Sequence, residues 1–538
     1  MFIFTPILQS MYKYKYFLVF LCAIATLLFC LFFPICFDNN DDQVMYAMCT
    51  GIISGVASPN LILTNILTGR VLCVLFEFSN KINWYTLYLE VLLFCCFLFF
   101  CLLMIKDKTT NFLTSVMLVL ILFLGLFSLS MVKLQFTTVA LFCAFAALFS
   151  LKMEIKSGRK LWLVFFFLLV SVLIRKEGFY IFILFSFPIV IANFRINYFL
   201  RDYFISLILS VMIFGVMCFI NNNNIVYQQQ ATYSNINALD IIAAKPVKIN
   251  TETLHKYQFT QSDITLLQSW MVADNAYLTG KHIEQLAKEL KATRNISEIK
   301  NELTKFVFDE RYLLLFYFLS SFLLFVFVYS SRKIVLLNLL VFLFFLFYLI
   351  VTSRIPHRVS FPVLTYLVLL NIYLLIQSKT DNAFKIKILA LFLILSTYKY
   401  YCTAKLISVQ QEYHRIFNAC QQEINSHPEY LFIASEGFPL QFMNAWQTPQ
   451  TDFPSRNVIL TAWYGCSPDY QVLLKTHHLK NLSSDLKNKK NVVFLTSSTL
   501  LQQSYIQVMQ ERYNIKCHFE PVINGFTELH PKLLVFDN

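Results

Sequence analysis

The chain alternates between long apolar runs and short polar connections. Apolar stretches recur at 17–37, 86–105, 112–131, 134–151, 161–175, 179–194, 203–220, 312–331, 334–352, 359–377 and 386–404. A bilayer core needs about 20 apolar residues in helical form, because hydrocarbon offers backbone amides no other partner. The pattern therefore predicts about eleven transmembrane helices, the run 161–175 being short for one. Splitting 112–151 into two spans around Lys133 is the step on which later sidedness depends.

Charge follows the runs. Lys13 and Lys15 precede the first, Lys106 and Lys108 follow the second, and Lys152, Lys156, Arg159 and Lys160 follow the fourth. Arg195 and Arg201 follow the sixth, Arg332 and Lys333 the eighth, and Lys379, Lys385 and Lys387 the tenth. Simple alternation puts all of these on one side, which the positive-inside bias makes cytoplasmic. The expected topology is N-terminus in and C-terminus out. The opposite side then receives the loop after the first span, Arg175-Lys176-Glu177, the long loop 221–311, Arg354 to Arg358, and everything beyond about 405.

The polar segments carry their own patterns. Residues 43–80 have apolar positions at helical spacing and read as short helices on the membrane surface. Helices are expected at about 262–273, capped by Ser262, and 280–291, capped by Thr279. The tail shows strand-like runs at 430–434, 457–463, 491–496 and 532–536, with helical stretches at 408–425 and about 498–513. The fold class expected is mainly α: a polytopic membrane domain over 1–404, with outer loops 38–85 and 221–311. An extracytoplasmic soluble α/β domain over 405–538 follows it.

Composition agrees. The chain is 57% hydrophobic and 14% charged, against about 25% charged in soluble domains. Its net charge of +13 is accounted for by the span ends, and no basic stripe interleaves with aromatics in a polar segment, so nucleic acid is not expected as a partner. Most of the 14 cysteines lie in apolar runs, where they act as small hydrophobes; no disulfide framework is expected. No small-residue cleavage site follows the first run, which reads as a span rather than a cleaved signal.

Three polar clusters fall on the outward side. Asp38, Asp41 and Asp42 directly follow the first span. A carboxylate there can take the proton of an acceptor hydroxyl, and Asp41 and Asp42 could alternatively hold a divalent cation. No cofactor is otherwise indicated. The same stretch would also serve as a solvated loop closing a span. Arg175, with Glu177 as its ion-pair partner, runs against the positive-inside bias. Arg354, His357 and Arg358 crowd one short connection stiffened by Pro356. Both basic groups suit a phosphate, or alternatively lipid headgroups. Asp274 in the long loop is a supporting acid. No Walker loop, GxGxxG turn or GxSxG elbow is present, which argues against an ATP-driven pump or a nucleotide-sugar Rossmann enzyme.

An acidic pair after the first span, in a non-cytoplasmic loop with surface helices, resembles the GT-C superfamily of integral membrane glycosyltransferases. More closely, the chain resembles bacterial polytopic proteins of cell-surface polysaccharide synthesis. The resemblance rests on Asn40 to Met45, Gly51 and Gly55, Asn83-Trp84-Tyr85, Ile174-Arg175-x-Glu177, Asp263 with Leu266 to Trp270 and Asp274, Arg354-x-Pro356-x-Arg358-Val359, and Trp463 to Pro468. It implies a polyprenyl-phosphate-linked sugar donor, a glycan or lipid acceptor, and inverting transfer outside the bacterial inner membrane with Asp41 or Asp42 as base. Two rivals remain. One is a polymerase or ligase using diphosphate-linked oligosaccharide, with Arg354 and Arg358 dominant. The other is a lipid-sugar flippase, which the scarcity of charge within the spans opposes.

Overall fold

The computed structural model describes the chain outside residues 1–3, 53, 107–109, 153–156, 193–196, 224–228, 244–248, 272–280, 293–295, 353–354, 435–439, 449–456, 497, 523–530 and 538. Arg354, Asp274 and Thr279 lie outside the described residues. The chain is mainly helical and divides into two compact units. The first comprises Met1–Asp38, Tyr85–Met217 and Ile296–Gln411; the second comprises Asn39–Trp84, Cys218–Asn295 and Glu412–Asn538.

In the first unit each expected apolar run falls in or largely within a helix. Among the described residues, six helices are long and apolar enough to cross a membrane: Trp84–Ile105, Phe112–Val132, Leu200–Asn221, Ile296–Phe327, Tyr329–Val351 and His357–Gln377. Shorter apolar helices cover Phe17–Phe32, Phe136–Lys152 and Glu177–Ala192. The break at Lys133 is real: Lys133–Leu134 forms a two-residue strand (β2) that pairs in parallel with Cys36–Phe37 (β1).

Phe136–Lys152 is the core of this unit, buried on every side from Phe136 to Leu151. A helix apolar all round belongs in an interior. It packs on Ser157–Ile174, Glu177–Ala192 and His357–Gln377. The peripheral helices do the opposite. Leu336, Leu340, Leu343, Phe344 and Phe347 are exposed at helical spacing on Arg332–Thr352, as are Phe204, Ile208, Val211 and Met212 on Asn197–Asn222. Apolar stripes of this extent suit contact with lipid. The protein is a helical membrane protein.

The second unit contains the first-loop helices Asn40–Thr50 and Ile66–Phe78, helices from the long loop, and a five-stranded sheet. Its strands are Leu431–Ala434 (β3), Val458–Leu460 (β4), Val492–Leu495 (β5), Cys517–Pro521 (β6) and Lys532–Phe536 (β7), in spatial order β4-β3-β5-β7-β6. β3 is parallel to β4 and β5, whereas β7 is antiparallel to both β5 and β6. Every residue of β5 is buried, as a central strand covered on both faces requires.

Several contacts in this unit join the loops to the tail. Asn83 Nδ2 donates to the carbonyls of Ala445 and Gln447, both at 2.8 Å. Ser58 Oγ donates to Asp469 Oδ2 at 2.6 Å. Burial pushes the Asp469 carboxyl above its ordinary range, against the opposing hydrogen bonds of Ser58, Asn60 and Ser467. Gly51 closes helix Asn40–Thr50 at φ 72°, a left-handed turn that favours glycine.

Four details differ from the sequence reading. The helix expected at 262–273 spans Gln261–Gln268, and its cap is Thr260, not Ser262. The Asp263 side chain returns the bond to Thr260, completing a capping box that fixes the cap two residues earlier. The expected span 386–404 and helix 408–425 form one helix, Asn382–Ser426; no breaker lies between them, and the unit boundary falls after Gln411. Lastly, β6 had no expected counterpart, because His518, Glu520 and Pro521 interrupt its apolar pattern at the sheet edge.

Candidate functional site

Within the first unit, the polar residues at span ends sort into two groups. One comprises residues assigned above to the cytoplasmic side. Lys15 Nζ donates to Thr110 Oγ1 at 2.8 Å, and Lys160 Nζ lies 3.7 Å from Asp202 Oδ2. Lys333 Nζ donates to the Ile191 carbonyl at 3.1 Å, and Lys385 Nζ to those of Ile376 and Ser378. The other group comprises residues assigned to the opposite side. None of these contacts mixes the two.

The second group starts from the β1–β2 bridge. It sets Asp38 beside Lys133, at 3.2 Å between Oδ1 and Nζ, and the Asp38 amide donates to the Leu134 carbonyl. The pair is part-exposed and worth about 1 kcal/mol or less. The next turn of chain holds Arg175: Nη1 donates to Thr137 Oγ1 at 2.5 Å and Nε to Glu177 Oε2 at 3.1 Å. The guanidinium also lies over the Phe136 ring at 5.1 Å and is 13% exposed. Thr138 Oγ1 donates to the Arg358 carbonyl at 3.3 Å, bringing the start of helix His357–Gln377 to the same end. There His357 Nδ1 meets Glu310 Oε1 at 2.8 Å, and Ser360 Oγ donates to the same oxygen at 2.6 Å.

Asp38, Arg175, Glu177, His357 and Arg358 thus share one unit. Arg175 and His357 bring cationic or donor side chains to one end of a bundle, each held by a carboxylate, and Arg358 is placed there through its backbone carbonyl; such groups suit an anion.

Asp41 and Asp42 belong to the second unit, in the first turn of helix Asn40–Thr50. Carboxylates are favoured there by the helix dipole. Asp41 is half-buried, and its Oδ2 accepts from Asn39 Nδ2 at 2.8 Å; Asp42 is buried. Of the two, Asp41 is the one a solute can reach. Gln43 is buried as well, and neither atom of its amide has a hydrogen-bond partner among the described residues. Among the described residues, no three His, Cys, Asp or Glu side chains gather as metal ligands.

Sequence reading missed Glu310 and Lys399. By its apolar pattern Glu310 falls at the end of the long loop, since the run starts at 312; the helix begins at Ile296. Lys399 sits inside the run 386–404 and lies close enough to Glu310 and Lys133 to act on both electrostatically. A lysine in an apolar run was the available signal. Glu90 is also buried, in helix Trp84–Ile105, with Cys30 Sγ 3.5 Å from Oε2.

No family model matches this chain, and no match is found among curated proteins or solved structures.

Proposed function

We propose that this chain is an integral-membrane glycosyltransferase of GT-C type, moving a sugar from a polyprenyl-phosphate donor to a cell-surface glycan or lipid. The observation that carries the reading is the basic end of the first unit, where Arg175, His357 and Arg358 gather with Asp38, Lys133 and Glu310. Basic side chains held among helices by buried partners are expensive in lipid unless an anion uses them. A lipid phosphate is the anion a bilayer supplies.

In this reading the eleven expected apolar runs are eleven crossings. The lysine-rich end is cytoplasmic, and the Arg175–His357 end is the outer face of the inner membrane. The segregation of contacts between the two ends supports the alternation. A carboxylate of the Asp38–Asp42 stretch takes the proton of the acceptor hydroxyl, Asp41 being the accessible member.

Asp41→Asn is expected to reduce sugar transfer at least a hundredfold, in line with the loss of a general base, while Asp42→Asn acts mainly through folding. Release of polyprenyl phosphate from the lipid-linked sugar in isolated membranes measures both. Undiminished release in both single variants and the double variant removes these carboxylates from the reaction.

A further inference from the structure

Glu310 stands apart among the carboxylates of the basic end. Its side chain is 1% exposed. Two hydrogen bonds, from His357 Nδ1 and Ser360 Oγ, converge on Oε1. Oε2 has no hydrogen-bond partner among the described residues. A carboxylate this buried persists only where cations and donors face it. Here they are His357 and, by electrostatics, Lys399.

The arrangement fixes the imidazole. A carboxylate bonded to one ring nitrogen sets the orientation of the ring and the identity of the outward nitrogen. Nδ1 is bound inward to Glu310. The ring is 35% exposed, and Nε2 has no hydrogen-bond partner among the described residues. Charged neighbours on three elements act on the ring: Glu310 on helix Ile296–Phe327, Asp38 after β1, and Lys399 on helix Asn382–Ser426. Arg358 follows on the ring's own helix. Paired with Glu310, an imidazolium presents Nε2–H as its outward donor.

We infer that His357 receives the phosphate that transfer releases, and that Glu310 is the positioning residue that holds it for this. The inference rests on the transferase reading above and specifies which form of phosphate the site prefers. The donor is a phosphodiester with one negative charge. In the reaction the acceptor oxygen bonds to the sugar's anomeric carbon, and the bond from that carbon to the phosphate oxygen breaks. Its electron pair stays on the phosphate oxygen, while the acceptor's proton goes to the carboxylate base. The phosphate becomes a monoester whose second ionisation lies near pH 6, so it gains a second charge at neutral pH. The Nε2–H group donates to that oxygen. A bond that strengthens as charge develops lowers the barrier rather than merely binding substrate. The site therefore binds the monoester more tightly than the diester. A headgroup anchor needs no such discrimination.

Equilibrium binding to the full chain in nanodiscs tests this, with farnesyl monophosphate and its methyl diester as probes. The wild type is expected to favour the monoester by about tenfold, the size of one charge-assisted hydrogen bond. His357→Gln and Glu310→Gln should each bring the ratio close to one. Glu310→Asp, which keeps the charge, and Ser360→Ala, which leaves the ring bond in place, should retain most of it; a purely structural role for Glu310 would not move this ratio. Equal affinity for both probes in the wild type, or full preference in His357→Gln, would overturn the assignment. Displacement of the monoester by an equal concentration of inorganic phosphate would overturn its lipid source. Failure of the wild type to bind either lipid would instead count against the transferase reading itself.

Discussion

Arg175→Ala is expected to slow sugar transfer by about a hundredfold, and Arg175→Lys by about tenfold. Arg175 closes one helix and Glu177 opens the next, and the guanidinium is held between Glu177 and Thr137 over the face of Phe136. These contacts remove most of its rotamer freedom before any ligand arrives. An oriented, planar guanidinium grips a phosphate through two parallel bonds, and each charge-assisted bond is worth about 1.5–3 kcal/mol. Lysine preserves the charge but not the fork. Transfer rates at saturating and limiting donor separate the two effects: lysine should raise KM chiefly, alanine should also lower kcat. Equal activity in Arg175→Ala would reduce the residue to a clasp between helices.

The second large effect is on stability. Asp263→Ala is expected to destabilise the second unit by about 3 kcal/mol or more. Asp263 is fully buried at its side chain. Arg512 Nε and Nη2 donate to its two oxygens at 2.8 and 2.5 Å, and Nη2 also reaches the Gln258 carbonyl at 2.9 Å. This ties the long-loop helix Gln261–Gln268 to helix Thr499–Tyr513 of the tail. Removing one partner of a buried pair strands the other, which typically costs about 3–5 kcal/mol, and Asp263 also completes the Thr260 capping box. Thermal unfolding of the full chain should show a transition lowered by several degrees. Asp263→Asn should lose less, because its one remaining oxygen can still accept from Thr260 and from Arg512 Nη2, as Oδ2 does now. Unchanged melting in Asp263→Ala would show that the pair contributes nothing net.

The helices were legible because hydrophobic burial and backbone satisfaction act locally. Each apolar run is long enough to specify its own helix, and Lys133 marked a break in an otherwise unbroken run. Four of the five tail strands were legible for the same reason: β5 and β7 are compact apolar runs, whereas β6 is an edge strand carrying His518 and Glu520. Arg175 and Glu177 were legible because a basic pair at an outward span end is electrostatically odd. Glu310 was not. Its meaning depends on His357, 47 residues away in sequence, and no local pattern reports that contact. Thr260 was missed for a subtler reason. Its cap is completed by an aspartate rather than the glutamate or glutamine that usually follows a capping threonine.

The central claim is that the chain consumes a polyprenyl-phosphate sugar. It is tested most directly by mass spectrometry of membrane lipids and surface glycan from cells that make the wild-type chain, Arg175→Ala, or no chain. Polyprenyl-phosphate-linked sugar is expected to accumulate, and the glycan to lose the mass of that sugar, when the chain is absent or carries Arg175→Ala. Identical lipid-linked sugar and identical glycan mass in all three would contradict it.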